Sequence, residues 1–327
     1  PSIPAKKAVG NKDDKYIEHR RFFLQRFLRK LGKMSYLLNS DEFKLFARPS
    51  GEIEKMLAMM PKLSPENIVE RYKHSLHVDE FPDEFLVKQC REVINEFSAF
   101  TKKILPTLKS VKEQASKMVP VKTQQNSNYK NLIDSMWKFE EEGLAQYVDS
   151  NYNKFVVGDP SSPEIKNQCE QMSQELSNPF LDFFNWIQGE IHDIEALQEA
   201  IQGRDKTMKM KSSLESKKKS ETEELNKLNS GKKTFKSIFK SSSGKQARIT
   251  VLSSNISQAE KDIEEYDKLL KMIEVHLGET VIPEFKESQM KTYYKICQSI
   301  ACAEIDDSNK TCKFWSNFLE NSNIKKS

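Results

Sequence analysis

Residues 249–277 read ITVLSSNISQAEKDIEEYDKLLKMIEVHL, and the apolar side chains of this segment recur at alternating steps of three and four. They are Ile249, Leu252, Ile256, Ala259, Ile263, Tyr266, Leu270, Ile273 and Leu277. This spacing puts them on the a and d positions of successive heptads, the pattern of a helix that packs in a coiled-coil-like bundle. The segment therefore predicts an all-α protein with long, bundled helices.

The overall composition also favours long helices. The chain has 327 residues, of which 37% are hydrophobic and 31% charged, with only 10 Gly and 12 Pro. It is too apolar for a disordered chain and too charged for a compact α/β core. The formal net charge of +4 is modest, so local basic patches matter more than the total.

Cysteine usage and hydropathy indicate the compartment. The 5 cysteines are dispersed and form no C-x-x-C pair, which suits a reducing cytosol rather than a disulfide framework or a zinc site. No apolar run approaches the roughly 20 residues of a membrane-spanning helix, and no signal peptide opens the chain. We expect a cytoplasmic protein whose contact with any membrane is peripheral.

Short helices are predicted near the N-terminus. Residues 14–31 place their apolar side chains on one helical face, and Gly32 supplies a stop signal. Ser40 is a suitable N-cap for a short helix that continues through Phe46. Together these features predict a compact N-terminal region of several helices.

Two more short helices follow in the sequence. One is predicted over residues 53–60, and Ser64 followed by Pro65 opens the next. The second helix carries an apolar stripe formed by Ile68, Val69, Tyr72 and Leu76. That stripe either packs in a core or lies on a membrane as an amphipathic helix, and core packing is slightly favoured.

Longer helical patterns begin after residue 81. Apolar residues at steps of three and four run through residues 85–119 and resume over 129–148, with Pro106 and Pro120 expected to kink a helix without necessarily ending it. A turn is predicted at 158–163. One helix is then predicted from about 163 to 229, which approaches 100 Å at about 1.5 Å per residue.

The last predicted helix, over residues 285–319 beyond Pro283, is rich in aromatic side chains. The set is Tyr293, Tyr294, Phe314, Trp315 and Phe318. Broad aromatic faces of this kind favour a helix-rich dimer interface, and packing within one chain is the alternative.

A basic stretch separates the two longest helical patterns. Residues 225–259 hold 7 basic residues and no acidic one, and residues 231–245 read GKKTFKSIFKSSSGK. Anionic lipid attracts such a tip by roughly 1 kcal/mol per Lys or Arg, and Phe235, Ile238 and Phe239 would insert at headgroup depth. The alternative is a solvated hairpin whose lysines only add solubility. The candidate contacts are Lys232, Lys233, Lys236, Lys240, Lys245 and Arg248.

Signatures of catalysis are missing from the sequence. It has no glycine-rich phosphate loop, no H-E-x-x-H and no G-x-S-x-G motif. The 5 histidines are dispersed, and His74 with His77 is more often a solvated pair than a metal site. We expect a non-enzymatic protein that uses no metal and no cofactor.

Several segments carry a resemblance to a known family. Residues 1–6 (PSIPAK), 14–28 (DKYIEHRRFFLQRFL) and 40–46 (SDEFKLF) resemble the C-terminal half of a phox-homology (PX) domain. The kinked helix, turn, long helix, basic tip and heptad helix that follow resemble a BAR domain in their order. Residues 276–286 (HLGETVIPEFK) and 313–319 (KFWSNFL) resemble its last helix. Nearly the whole chain is thus similar to a sorting nexin of the PX-BAR type.

The resemblance implies roles for two residues. Lys6 matches the family's lysine after the proline-rich loop, and Arg20 matches the phosphate-binding arginine of the next helix. Ammonium and guanidinium groups of this kind bind phosphates well. The family's arginine that contacts the 3-phosphate would precede Pro1, so either this sequence is part of a longer chain or the protein binds lipid through its BAR surface alone.

The combined prediction is a dimeric, all-α protein. It comprises the C-terminal half of a PX domain (1–62), a linker with an amphipathic stretch (63–80) and an elongated, kinked three-helix BAR domain (81–322). Such a protein would bind anionic lipids, phosphatidylinositol 3-phosphate among them, as a peripheral protein on endosomes.

The expected function is support of endosomal tubules and cargo transport. The partner would be a second copy of the chain or another sorting nexin. One alternative is a dimeric coiled-coil scaffold in a larger assembly without lipid binding. A nucleic-acid-binding coiled coil is a weaker reading, since no reading motif accompanies the basic tip.

Overall fold

The fold is helical throughout the part of the chain that the structure describes, and it contains no strand there. The computed structural model describes residues 14–48, 51–60, 63–144, 157, 164–230 and 242–321. The all-α prediction is therefore confirmed for these residues. The predicted turn at 158–163 and the basic tip at 231–240 lie outside them.

Five short helices come first. They are α1 (Asp14–Leu31), α2 (Ser35–Leu38), α3 (Asp41–Ala47), α4 (Ile53–Met59) and α5 (Pro65–Leu76). The predicted caps are present, because the Ser40 and Ser64 hydroxyls accept hydrogen bonds from the backbone N–H groups of Phe43 and Asn67. Each bond satisfies a donor that the first turn of a helix leaves open.

The longer helices make up most of the remainder. They are α6 (Glu84–Lys138), α7 (Glu164–Glu175), α8 (Pro179–Asn229), α9 (Ser242–Val275) and α10 (Ile282–Asn321). A π-helical turn, Phe139–Leu144, extends α6, and a second one, His276–Val281, joins α9 to α10. Helix α6 continues through Pro106 and Pro120, as the sequence predicted.

One prediction about helix length is wrong. The single helix expected over 163–229 is interrupted at residues 176–178, between α7 and α8. Pro179 explains the break, because proline lacks an N–H donor and disfavours helical backbone at the preceding residue. The apolar periodicity continues on both sides of Pro179 and therefore gives no sign of this local steric effect.

Side chains replace the hydrogen bonds that the break removes. The carboxylate of Asp307 on α10 accepts from the backbone N–H of Ser177 at 3.1 Å, and Asn126 on α6 donates to the carbonyl of Ser177 at 3.1 Å. The Lys122 ammonium on α6 lies 3.1 Å from Asp307 as a buried ion pair. The interruption is therefore held by groups from two other helices.

The chain divides into two compact units. Unit 1 draws on Pro1–Lys103 and His192–Lys286, and unit 2 on Ile104–Ile191 and Glu287–Ser327. Unit 1 has a core in which α6, α8, α10 and the second π turn meet. Its buried members are Ile94, Phe97, Ile201, Leu277 and Ile282.

The heptad segment contributes two faces to unit 1. On the predicted seam, Leu252, Ala259, Leu270 and Leu277 are buried. Leu269 and Met272 lie beside that seam and pack against Val69 of α5. Ile68, Val69 and Leu76 of the α5 stripe are thus part of a core, the interpretation that the sequence slightly favoured, whereas Tyr72 is 40% exposed.

A buried carboxylate ties three helices of unit 1 together. Glu274 on α9 is 2% exposed, and Arg91 on α6 donates to both of its oxygens at 3.0 and 2.9 Å. Arg204 on α8, itself buried, lies 3.6 Å from the same carboxylate. An unpaired buried carboxylate would be strongly destabilising, so this ion-pair cluster constrains how the three helices align.

Unit 2 accounts for part of the aromatic set on the last helix. Phe314 and Phe318 are buried in a core with Ile133 of α6 and residues of α7, and Trp315 packs against it. Packing within the chain therefore explains these rings, whereas Tyr293 and Tyr294 are exposed. Whether the exposed pair contacts a second chain stays a prediction.

A close backbone approach sets the position of the second π turn. A Cβ added at Gly278 would lie 2.6 Å from the Cβ of Cys90 and 2.8 Å from its Cα, both on α6. Only glycine permits this contact without movement of a helix. The wide turn also precedes Pro283, whose ring cannot follow a regular helical turn without a clash.

We predict that Gly278→Ala destabilises the protein by about 1–3 kcal/mol, because the added methyl overpacks the contact with Cys90. Chemical denaturation followed by circular dichroism measures this. Gly203→Ala on α8 is the matched control, since a Cβ there meets nothing within 4 Å. It should be neutral or stabilising by up to about 1 kcal/mol. Equal stabilities of the two variants would contradict the close approach.

Candidate functional site

The first candidate surface is the helix α1, which docks in unit 1 along one face. Phe23 is 3% exposed and its ring meets His192 of α8 edge-on, with the centroids 5.4 Å apart. Three residues further on, the Arg26 guanidinium donates to both oxygens of Asp193 at 3.2 and 2.5 Å. The Lys30 ammonium pairs with the same carboxylate. Steps of three and four residues keep these side chains on one side of α1.

Arg20 lies on the same helix and is half-buried. Its Nη1 donates to the hydroxyl of Tyr16 at 3.4 Å. The neighbouring Arg21 is more exposed and pairs at 2.6 Å with Glu18, within the same helix. Lys6, the other residue matched to phosphate binding, lies outside the described residues. The structure therefore locates only one of the two predicted phosphate contacts.

The second candidate surface is the basic stretch between α8 and α9. Lys232, Lys233, Lys236 and Lys240 lie outside the described residues. Lys245 is exposed near the start of α9. Arg248, one turn further, donates to both carboxylate oxygens of Glu224 on α8 at 3.0 Å each. This guanidinium joins the ends of two helices.

A third basic surface lies along α8. Lys206, Lys209 and Lys217 are exposed, and within the described part of the chain no ion pair engages them. Spacings of three and eight residues keep them on one face of the helix. Lys211 and Lys218 are instead paired with Asp267 and Glu260 of α9. The sequence does not distinguish the lysines of this helix from one another. The packing of α8 against α9 shows which of them face outwards and which pair with α9.

A further contact joins the short helices. Arg71 on α5 donates to both oxygens of Glu42 on α3 at 3.1 and 3.0 Å. This hydrogen bonding lowers the pKa of Glu42 below its ordinary value. Both side chains are about half exposed, so the pair adds little stability.

Two residues of the α1 contact escaped the sequence analysis. Asp193 and His192 are single polar residues in a long helical pattern, and no local motif marks them. The only available signal was the apolar surrounding of Asp193 between Ile191 and Ile194. An acidic residue in such a setting is usually paired when buried.

A metal-binding arrangement does not appear among the residues described. There, no group of three or more His, Cys, Asp or Glu side chains is placed to hold a metal ion. Among the described helices, none combines the length and the apolar character that crossing a membrane requires.

Comparison with known proteins bears on the N-terminal region. The family model of the PX domain matches residues 1–50, which include α1 and α3. PX domains bind phosphoinositides in membranes, so this region resembles a phosphoinositide-binding module. No curated protein matches the chain. The BAR-type prediction for the remainder is compatible with the helical fold and stays a prediction.

The Asp267 pairing on α9 predicts a dependence of stability on pH. Burial raises the pKa of Asp267, but hydrogen bonds from Lys211 and Lys271 outweigh it, and the net pKa is lowered from its ordinary value of 3.8. A depressed pKa contributes stability above the ordinary value and loses it as pH falls through the folded-state value. Asp267→Asn should therefore be less stable than the parent at pH 7.

The stability difference between Asp267→Asn and the parent should shrink as the pH falls below 3.8. Urea denaturation at a series of pH values measures it. Asp262→Asn is the control on the same helix, because within the described residues Asp262 accepts from the neutral Gln258 one turn away and joins no ion pair. A pH-independent difference for Asp267→Asn would contradict the assignment.

Proposed function

We propose that this protein is a peripheral membrane-binding protein of the PX-BAR sorting nexin type. It binds phosphoinositide on endosomes, favours curved membrane and supports tubules that carry cargo. The observation that carries this proposal is the PX match over residues 1–50, the region in which Arg20 lies on a docked helix. The predicted BAR layout of the long helices supports it.

The specific lipid contact of this proposal is Arg20 with Lys6. A guanidinium forms charge-assisted, directional hydrogen bonds with phosphate oxygens. The half-buried position of Arg20 limits the orientations that its side chain can take. Phosphatidylinositol 3-phosphate is the proposed ligand.

The general lipid contact is made by the two basic surfaces. The tip at residues 231–245 and the outward lysines of α8 would approach an anionic leaflet, each Lys or Arg contributing about 1 kcal/mol. Arg248 has a structural role in this proposal, because its bond to Glu224 joins α8 and α9 on either side of the tip. The tip would then present its lysines and aromatic residues to headgroups.

Dimerisation is supported by an exposed apolar stripe on α6 and its π turn. Val111, Met118, Leu132 and Phe139 are separated by multiples of seven residues, and all four are exposed. Val121, also exposed, lies beside them and lines a shallow groove with Leu132. A seven-residue repeat is the spacing by which one helix packs against another in a coiled coil. A second copy of the chain is the proposed occupant.

These parts would act together on a curved surface. A rigid dimer that carries basic groups on separate helices binds best to a membrane whose curvature lets all of them reach lipid at once. Multivalent contact of this kind raises the overall affinity far above that of one contact. Binding by many dimers would then stabilise a tubule.

We predict that reversing the outward charges of α8 weakens lipid binding. The variant Lys206→Glu, Lys209→Glu, Lys217→Glu should lose about tenfold or more in affinity for phosphatidylserine vesicles, because attraction turns into repulsion. Co-sedimentation at two salt concentrations measures the affinity and its salt dependence. Reversal of Lys232, Lys233, Lys236 and Lys240 tests the tip in the same way.

The control reverses three exposed lysines that pair within their own helices. Lys55, Lys117 and Lys291 bind Glu52, Glu113 and Glu287, so their reversal changes the net charge equally. The control variant should keep most of the lipid binding. If all variants bind lipid as the parent does, the lipid contact lies elsewhere on the protein. If the parent shows no dependence on anionic lipid, the scaffold alternative holds.

We also predict that the α6 stripe holds a dimer together. Val121→Glu with Leu132→Glu should convert a dimer to a monomer, because two charges would be buried at the contact, while the helical content stays unchanged. Light scattering coupled to size-exclusion chromatography measures the mass. Phe85→Glu, at an exposed position of unit 1, is the control and should stay dimeric. A monomeric parent chain at micromolar concentration would reject the dimer.

A further inference from the structure

Asp193 is a carboxylate whose surroundings are unusual for an acidic residue. Only 9% of it is exposed, and it lies on α8 next to the buried Ile194. Within the described part of the chain its counter-charges are Arg26 and Lys30, and Arg26 stands 167 positions away in sequence. A buried acid on one helix is therefore neutralised by two cations from another.

The contact is apolar as well as ionic. Phe23, one turn before Arg26 on α1, is buried against His192. The ring of His19, one turn before Phe23, has its centroid 4.8 Å from that of Phe23. The carboxylate of Asp193 is thus buried beside a packed pair of rings. Lower local dielectric strengthens the pairing and makes an unpaired Asp193 costly.

With α1 docked, loss of Arg26 and Lys30 would leave that carboxylate buried without a counter-charge. Removal of one member of a buried ion pair is strongly destabilising, whereas the loss of a surface pair is nearly neutral. The Glu42–Arg71 pair between α3 and α5 is of the surface kind. The orientation of α1 within unit 1 therefore depends on Asp193 more than on the α3–α5 contact.

We infer that Asp193 is a positioning residue for membrane binding. It fixes α1, and with it Arg20, against the helix that also carries Lys206, Lys209 and Lys217. This inference rests on the proposed function. Two lipid contacts held in one rigid orientation engage a membrane together, because the second contact forms at high effective concentration once the first is made. A loosely held α1 would bind a soluble headgroup with the same affinity, but it would not add to the membrane affinity that the lysines of α8 provide.

The role assigned to Asp193 predicts a specific pattern of binding constants. For Asp193→Asn in the full-length protein, the affinity for soluble inositol 1,3-bisphosphate, measured by calorimetry, should stay within about twofold of the parent. The affinity for vesicles of phosphatidylserine and phosphatidylcholine should also stay within about twofold. The affinity for the same vesicles containing phosphatidylinositol 3-phosphate should fall about tenfold.

Two further variants separate positioning from a general loss of structure. The charge exchange Arg26→Asp with Asp193→Arg, made together with Lys30→Gln so that no second cation faces the new arginine, rebuilds an ion pair of opposite polarity, and it should restore most of the affinity for mixed vesicles. Glu18→Gln removes the exposed pair with Arg21 that stays within α1, and it should behave as the parent. Hydrogen exchange of the α1 amides should rise in Asp193→Asn and return towards the parent in the exchange variant.

Each other outcome overturns the inference. If Asp193→Asn binds mixed vesicles as the parent does, α1 needs no such anchor. If it also loses the soluble headgroup, Asp193 merely supports the fold of the headgroup site. If the parent, like Arg20→Ala, does not respond to phosphatidylinositol 3-phosphate, the proposed function itself fails. This outcome differs from a failure of the inference alone, because the parent then lacks any headgroup-dependent binding.

Discussion

The buried carboxylate of Glu274 is the constraint on which unit 1 depends. It accepts from Arg91 on α6 and lies beside Arg204 on α8, so a single acidic group on α9 sets the alignment of three long helices. Apolar seams alone allow neighbouring helices to slip by a turn at low cost. A buried charge allows only the alignment in which its partners reach it, because any other leaves it unpaired.

Buried carboxylates with cationic partners from distant helices also occur at two other places in the structure. In unit 2, Asp307 pairs with Lys122 and also caps the helix break at Ser177. In unit 1, Asp193 holds α1 through Arg26 and Lys30. Each of these acids is at most 9% exposed and is bound by groups from helices distant in sequence. Specific ionic contacts between helices thus accompany the apolar cores.

Charge therefore has two distinct uses in this protein. Lys211, Lys218 and Arg248 pair with acids on neighbouring helices and stabilise the bundle. Lys206, Lys209 and Lys217 face outwards on the same long helix. The proposed function assigns the second group to lipid and Arg20, in the region of the PX match at residues 1–50, to a phosphoinositide. Basic residues that pair within the protein thus stabilise its fold, and the outward-facing ones are those that the proposed function uses.

Much of the local structure was predictable from sequence, because it depends on interactions between near neighbours. The heptads of residues 249–277 follow from the helical period, and the Ser40 and Ser64 caps follow from the open N–H donors of a first helical turn. The break before Pro179 was missed although its cause is local, since the apolar period continues on both sides of it.

The candidate site was only partly predictable. Arg20 could be assigned by its position in a matched segment, whereas the anchor at Asp193 could not, because its partners Arg26 and Lys30 are far away in sequence. Sequence alone determined that the protein is helical and where most helices begin. Tertiary structure decided which charges are buried and paired and which face outwards, since the free energy of a charge depends on its surroundings and not on its neighbours in the chain.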